Sequence, residues 1–262
     1  MTPVLAVAGL WLLFAATHVG LATGRVRAAL VARLGEPGFG ALFSVVASVT
    51  FAAAVACYAA HRADGPAGPA LGGMAAVRWP LIGLIVAGTA LVSAGSVGYP
   101  GSPYDMFART VRAPRGIERV TRHPFFAGVA LFAVAHMLLA TRLVGTVMAG
   151  GLALVAIVGT RHQDAKLLAR FGRPYAEYLA ATSIVPFAAI LAGRQRLVWR
   201  ELPLAPLAIG VVLAAGLRAV HGSIFAHGGA WVIVSVVGAA GIFTWQTWRR
   251  TRRTGPPVPI RA

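Results

Sequence analysis

Seven apolar runs organise this chain, at residues 3–23, 39–60, 79–98, 124–141, 143–160, 202–220 and 229–248, with polar segments between them. Each is about 18–22 residues long, and a helix of that length, rising about 1.5 Å per residue, crosses a hydrocarbon layer of about 30 Å. The pattern therefore predicts an all-α polytopic membrane helix bundle of about seven spans. The fourth and fifth runs are parted by little more than Arg142 and read as a tight helical hairpin. No lysine or arginine precedes the first run, so it reads as a retained span and not as a cleavable leader.

Composition agrees with the pattern. Only 12% of the residues are charged and 58% are hydrophobic, with a mean hydropathy of +0.74. A soluble domain carries about twice that share of charge. A disordered chain is excluded by the apolar content, and a disulfide scaffold by the single cysteine, Cys57. The net charge of +17 raises the question of nucleic acid, and the placement of the charges answers it. With seven spans and an outside N-terminus, 20 of the 24 basic residues fall in cytoplasmic segments. Arg62, Arg78, Arg142 and Arg218 are the four outside. That asymmetry follows the positive-inside rule. The arginines are therefore expected to set topology and meet anionic lipid, with no nucleic-acid partner, in a bacterial-type inner (cytoplasmic) membrane.

Few residues at membrane depth can carry chemistry. The seven carboxylates, Glu36, Asp64, Asp105, Glu118, Asp164, Glu177 and Glu201, all lie outside the apolar runs. Cation transport through a bilayer usually needs an acid at depth, so a transporter is disfavoured. Histidines are the exception to the apolar monotony. His18 lies in run one, His61 at the outer end of run two, His123 at the start of run four and His136 within it. Each either bonds across helices or holds a cofactor. His123 and His136 are 13 residues apart on one helix, about 20 Å in depth, so they cannot share an iron. By depth His136 pairs with His61, while His18 and His123 belong nearer the cytoplasmic leaflet. His221 and His227 sit in a short Gly-rich outer loop and His162 in an Arg-rich stretch, where structural roles are the plain expectation.

The polar stretch after run five carries Leu167, Phe171, Tyr175 and Tyr178 at helical spacing, an apolar stripe interrupted by Gly172 and Pro174. Two short helices lying at the inner leaflet are expected there. A lid over a site at the helix ends is the sharper alternative.

Four blocks carry a family resemblance: "THVGLATGRVRAAL", "AAHRADG", "GIERVTRHPFFAGVALFAVAHMLL" and "DAKLLARFGRPYAEYLAATSIVPFAAILAGRQRL". In order and spacing they resemble the NnrU proteins and their relatives the 15-cis-zeta-carotene isomerases. The resemblance covers most of residues 11–221. It implies a domain at 1–221, with residues 222–262 as an added span and basic tail. It further implies a membrane protein that holds haem b through histidines and uses the iron to turn a cis double bond of a lipid-soluble polyene to trans. His18, His61 and His136 stand at the matching positions as the implied metal ligands, with His61 and His136 as the implied catalytic pair. The isomerases have a cysteine three residues before the histidine matching His136; here that residue is Ala133, and Cys57 lies one turn before His61. The NnrU branch is associated with denitrification and nitric oxide metabolism, which makes a nitric oxide-linked membrane factor the alternative. A haem-binding assembly or sensor protein without turnover is another.

"RHPFFAG" followed by "FGRPYAEYLAATSIVPF" also resembles the isoprenylcysteine carboxyl methyltransferases, which hold S-adenosylmethionine at the cytoplasmic face. Arg122 and His123, at a helix start, offer donors and a positive helix end to a carboxylate, and are cofactor-binding candidates for that reason. The methyltransferase pattern wants an acidic pair before its second block, where only Asp164 is present, and it gives His18, His61 and His136 no role.

Overall fold

The computed structural model describes residues 1–96 and 111–254. The end of run three, Arg109, Asp105 and the tail beyond Thr254 lie outside the described residues. Among the described residues ten α-helices follow one another: α1 (Thr2–Ala22), α2 (Gly24–His61), α3 (Ala75–Gly95), α4 (Ile117–Val120), α5 (Pro124–Leu139), α6 (Leu143–Phe171), α7 (Arg173–Ala181), α8 (Ala188–Leu191), α9 (Leu204–Ala219) and α10 (Ala230–Thr254). Single 3-10 turns join some of them, among them His221–Ser223 and His227–Gly229. Among the described residues there is no strand beyond one isolated bridge, Ala67 with Arg142.

Among the described residues four helices, α1, α2, α3 and α6, are long and apolar enough to cross a bilayer. Three shorter apolar helices cover Pro124–Leu139, Leu204–Ala219 and His227–Ile242. Large apolar side chains face outward along them, such as Leu12 at 63% exposure and Val49 at 62%. In water that much apolar surface would drive aggregation; in hydrocarbon it is solvated. The chain is a multi-pass membrane protein.

Two helices run further than their apolar runs. The run at 39–60 is the second half of α2, which starts at Gly24 and breaks where Gly35 takes φ +71° ahead of Pro37. Arg27 pairs with Glu36 across that break at 2.7 Å. Likewise α6 continues through Phe171, so Leu167 and Phe171 belong to its end and not to a separate short helix. Gly172, at φ +59°, ends it, and Pro174 opens α7 in the first turn, where a missing N–H costs nothing.

The described chain divides into two compact units. The first comprises Met1–Leu81, Ala133–Val155 and Val220–Gly238. Its core joins Val4, Val7, Trp11 and Val144, with Phe14, Phe51, Cys57, Tyr58 and Val147 against them. The Trp11 indole lies directly on Gly151, where any Cβ would collide with it, and donates to Met148 Sδ at 3.2 Å. The loop after α2 is tied to the α5–α6 connection by Gly68 N–H to Thr141 O, Ala70 N–H to Ala140 O and Leu143 N–H to Pro66 O, at 2.9–3.0 Å. These bonds hold the predicted helical hairpin at its turn.

The second unit comprises Ile82–Phe132, Ala156–Ala219 and Ala239–Ala262. Here α3 and α5 touch backbone to backbone: a Cβ on Gly128 would lie 2.5 Å from Gly88 O. Small residues permit this approach, which packing in membranes rewards. Leu91, Ala94, Ile117 and Val120 form one buried cluster; Leu167, Tyr175 and Tyr178 form another. The second cluster is the apolar stripe expected at 167–178, and it faces inward, with Tyr175 and Tyr178 buried.

Candidate functional site

The Arg122-His123-Pro124 turn is built by its neighbours. Thr121 is extended, which stops α4, and Pro124 restarts the chain as α5. Thr121 Oγ1 donates to Ile184 O at 2.7 Å, Arg122 N–H to Ser183 O at 2.9 Å, and Phe187 N–H to Val120 O at 2.8 Å. The turn is thereby pinned to the segment that follows α7.

Asp164, on the fourth residue past the apolar part of α6, gathers the side chains. Its Oδ1 accepts from Tyr175 OH at 2.7 Å and lies 2.7 Å from His123 Nε2, and its Oδ2 accepts from Arg122 Nη2 at 2.8 Å and Nε at 3.1 Å. His123 is fully buried and Asp164 partly so. A carboxylate engaged by three donors on both oxygens is a clamp between α5, α6 and α7; no oxygen is left over to act as a base. Arg122, through Nε and Nη2, and His123, through Nε2, already face Asp164, which weighs against the methyltransferase reading.

Two further arginine–carboxylate pairs lie in the same unit. Glu118, buried, accepts from both Arg112 Nη atoms at 2.7 and 2.6 Å and from Arg115 N–H at 3.1 Å. Glu201 accepts from Arg119 Nε at 2.9 Å and from Gly116 N–H at 2.8 Å. Those hydrogen bonds, Arg119 first, hold the Glu201 carboxyl below the usual carboxylate range. Sequence reading flagged Arg122 and His123 but not their convergence on Asp164. The one signal was Asp164 standing where the methyltransferase pattern wants acids.

The remaining candidates lie in the first unit. His18 on α1 packs between Phe14 and Phe43, with ring centroids 5.0 and 4.8 Å away. His61 closes α2, half-exposed, with Nδ1 2.8 Å from Asp64 Oδ2. His136, in the last turn of α5, faces His221: the centroids are 6.4 Å apart and the planes within 16° of parallel. Ala133, one turn earlier, is fully buried. Among the described residues no three His, Cys, Asp or Glu side chains converge as a metal site. The structure thus brings His136 to His221, and sets His18 and His61 among other partners. The stacking of His221 on His136 was not read from the sequence, because its glycine neighbours suggested a solvated loop.

Comparison with known proteins places this architecture. The model for "NnrU protein" matches residues 6–228. The chain belongs to the NnrU family. It is also similar to 15-cis-zeta-carotene isomerase, chloroplastic, of Arabidopsis thaliana, 29% identical over 204 residues, 74% of this chain and 52% of that protein. The protein of the same name from Zea mays is 27% identical over 198 residues, 72% of this chain and 51% of that one. This NnrU chain spans about half the length of these curated relatives. No solved structure matches it.

Proposed function

We propose that this NnrU-family chain is a haem b-holding cis–trans isomerase acting on a polyene dissolved in the bilayer. The observation that carries the reading is similarity to two zeta-carotene isomerases across nearly three-quarters of the chain. The donor chemistry fits the group: His18, His61 and His136 offer imidazoles, and an imidazole would hold haem iron and leave its Lewis-acid or redox chemistry available. Of the set implied by the family resemblance, His18, His61 and His136, we assign His136 as the ligand. Bound haem would supply Lewis-acid or one-electron chemistry at a double bond.

The protein's own part is positional. Apolar helices admit a lipid-soluble substrate and exclude water. No carboxylate lies in the apolar runs, so acid–base isomerisation is poorly served there. The Asp164 clamp holds α5, and with it the helix that carries His136, against α6 and α7. Topology completes the proposal: seven spans in the inner membrane, N-terminus outside and tail cytoplasmic. The four long and three short apolar helices and the 20-to-4 distribution of basic residues support it.

Expression in cells that accumulate 15-cis-zeta-carotene, followed by chromatography of the pigments in the dark, tests the activity. Loss of the 15-cis isomer is expected. Its persistence beside haem-loaded protein would overturn the isomerase reading and favour the nitric oxide-linked role.

A further inference from the structure

The apolar stripe at 167–178 faces inward, yet the segment after α7 turns a second set of apolar side chains outward. Leu191 is 86% exposed and Trp199 71%, and Val185 and Phe187 are exposed with them. None of the four lies on a long apolar helix. Their neighbours face the other way. Ala189 is fully buried, and Ile190, Leu197 and Leu202 pack against the cluster of Leu91, Ala94, Ile117 and Val120.

Hydrogen bonds fix this two-faced segment from its inner side. Arg194 Nη1 donates to Ala180 O at 2.7 Å and to Thr182 O at 3.0 Å, closing the end of α7, and Gln195 Nε2 donates to Ala181 O at 3.2 Å. Phe187 N–H donates to Val120 O at 2.8 Å, and there the backbone takes φ +64° and ψ −10°. That left-handed conformation is costly for a bulky side chain. The Phe187 ring is about half exposed, so burial within the chain offsets little of the cost; an apolar phase outside it would offset more.

Charge and chain position say what covers this face. Residues 183–200 hold Arg194, Arg196 and Arg200 and no acid. Arg196 and Arg200 are exposed and make no ion pair among the described residues. Trp199 stands five residues before Leu204, where α9 begins, and so lies within about 17 Å of that helix end. Exposed Leu204, Ile209 and Val212 mark α9 as a helix bathed in lipid. A tryptophan and free guanidinium groups just beyond such a helix belong to the headgroup layer, where indole rings settle and arginines meet anionic lipid.

We propose that residues 185–200 are an interfacial anchor: Val185, Phe187, Leu191 and Trp199 insert into the lipid leaflet at which α9 begins, and Arg196 and Arg200 bind its anionic phospholipid head groups. The anchor stands independently of the isomerase reading. In the orientation proposed above its leaflet is the cytoplasmic one.

The test places a fluorophore at Leu191→Cys in a Cys57→Ala background, with the full chain in nanodiscs of phosphatidylcholine and phosphatidylglycerol. Quenching by lipids spin-labelled near the head group is compared with quenching by aqueous iodide. Lipid-borne quenching should exceed that by iodide several-fold. At equal content, spin-labelled phosphatidylglycerol should quench more than spin-labelled phosphatidylcholine, and this excess should vanish in high salt and in the Arg196→Gln, Arg200→Gln double variant. Quenching by iodide alone would overturn the anchor, because the face would then be in water. Quenching by neither agent would overturn it too, because protein, from this chain, a second copy or a partner, would then cover the face. Lipid quenching with no excess for phosphatidylglycerol, or with an excess that survives in the double variant, would overturn the assignment of Arg196 and Arg200.

Discussion

His123 Nε2 and Asp164 Oδ1 meet at 2.7 Å across 41 positions of sequence, joining the start of α5 to the end of α6. The contact is buried on the histidine side and reinforced by Arg122 and Tyr175 on the same carboxylate. It makes Asp164 a structural hub on which the placement of α5 depends.

Removing that hub should therefore destabilise the protein. Asp164→Ala leaves Arg122 and His123 without their acceptor, at a cost of about 2–4 kcal/mol. Tyr175→Phe removes one bond to a charged group and should cost about 1–2 kcal/mol. Thermal unfolding followed by size exclusion in detergent gives the ranking. Equal stability of wild type and Asp164→Ala would contradict the hub role.

The α3–α5 contact makes a second prediction. Gly128→Ala inserts a methyl 2.5 Å from Gly88 O and should destabilise by about 1–3 kcal/mol, because two backbones must separate. Gly83→Ala, on the same α3 but with open space at its Cβ, should be neutral or slightly stabilising. The same thermal assay compares the two.

Acid should loosen the Arg119–Glu201 contact. Its carboxyl is held below the ordinary range in the folded state, so its contribution is present above that range and lost as pH falls through the folded value. Amide exchange around residues 195–203 should rise on acidification in the wild type. In Glu201→Gln it should be higher at neutral pH and change less with acid. Identical acid profiles would refute the linkage.

The orientation is open to direct test. In a Cys57→Ala background, a cysteine introduced into the tail should react with a membrane-impermeant reagent only after the cells are permeabilised. Labelling from the periplasmic side would reverse the proposed topology.

The helices were legible because long apolar runs leave the backbone little alternative in a membrane. Their ends were less so. The helical stretch from Gly24 ahead of run two is set off by a break at Gly35, whose positive φ composition does not reveal. The site was legible in part. Arg122 and His123 stand out beside Pro124, but their acceptor lies some 40 residues away and only the packing of α5 on α6 joins them. The contact of His221 with His136 was not legible because Gly222, Gly228 and Gly229 look like a loose loop. In the structure Gly229 is the close approach that fastens it to α2.

The central claim is that the protein holds haem b, and the absorption spectrum of the purified chain in mild detergent, with a pyridine haemochrome assay, tests it most directly. The account predicts a b-type haem in stoichiometric amount, bound through His136. A fully folded protein, made with ample haem and still colourless, would contradict it.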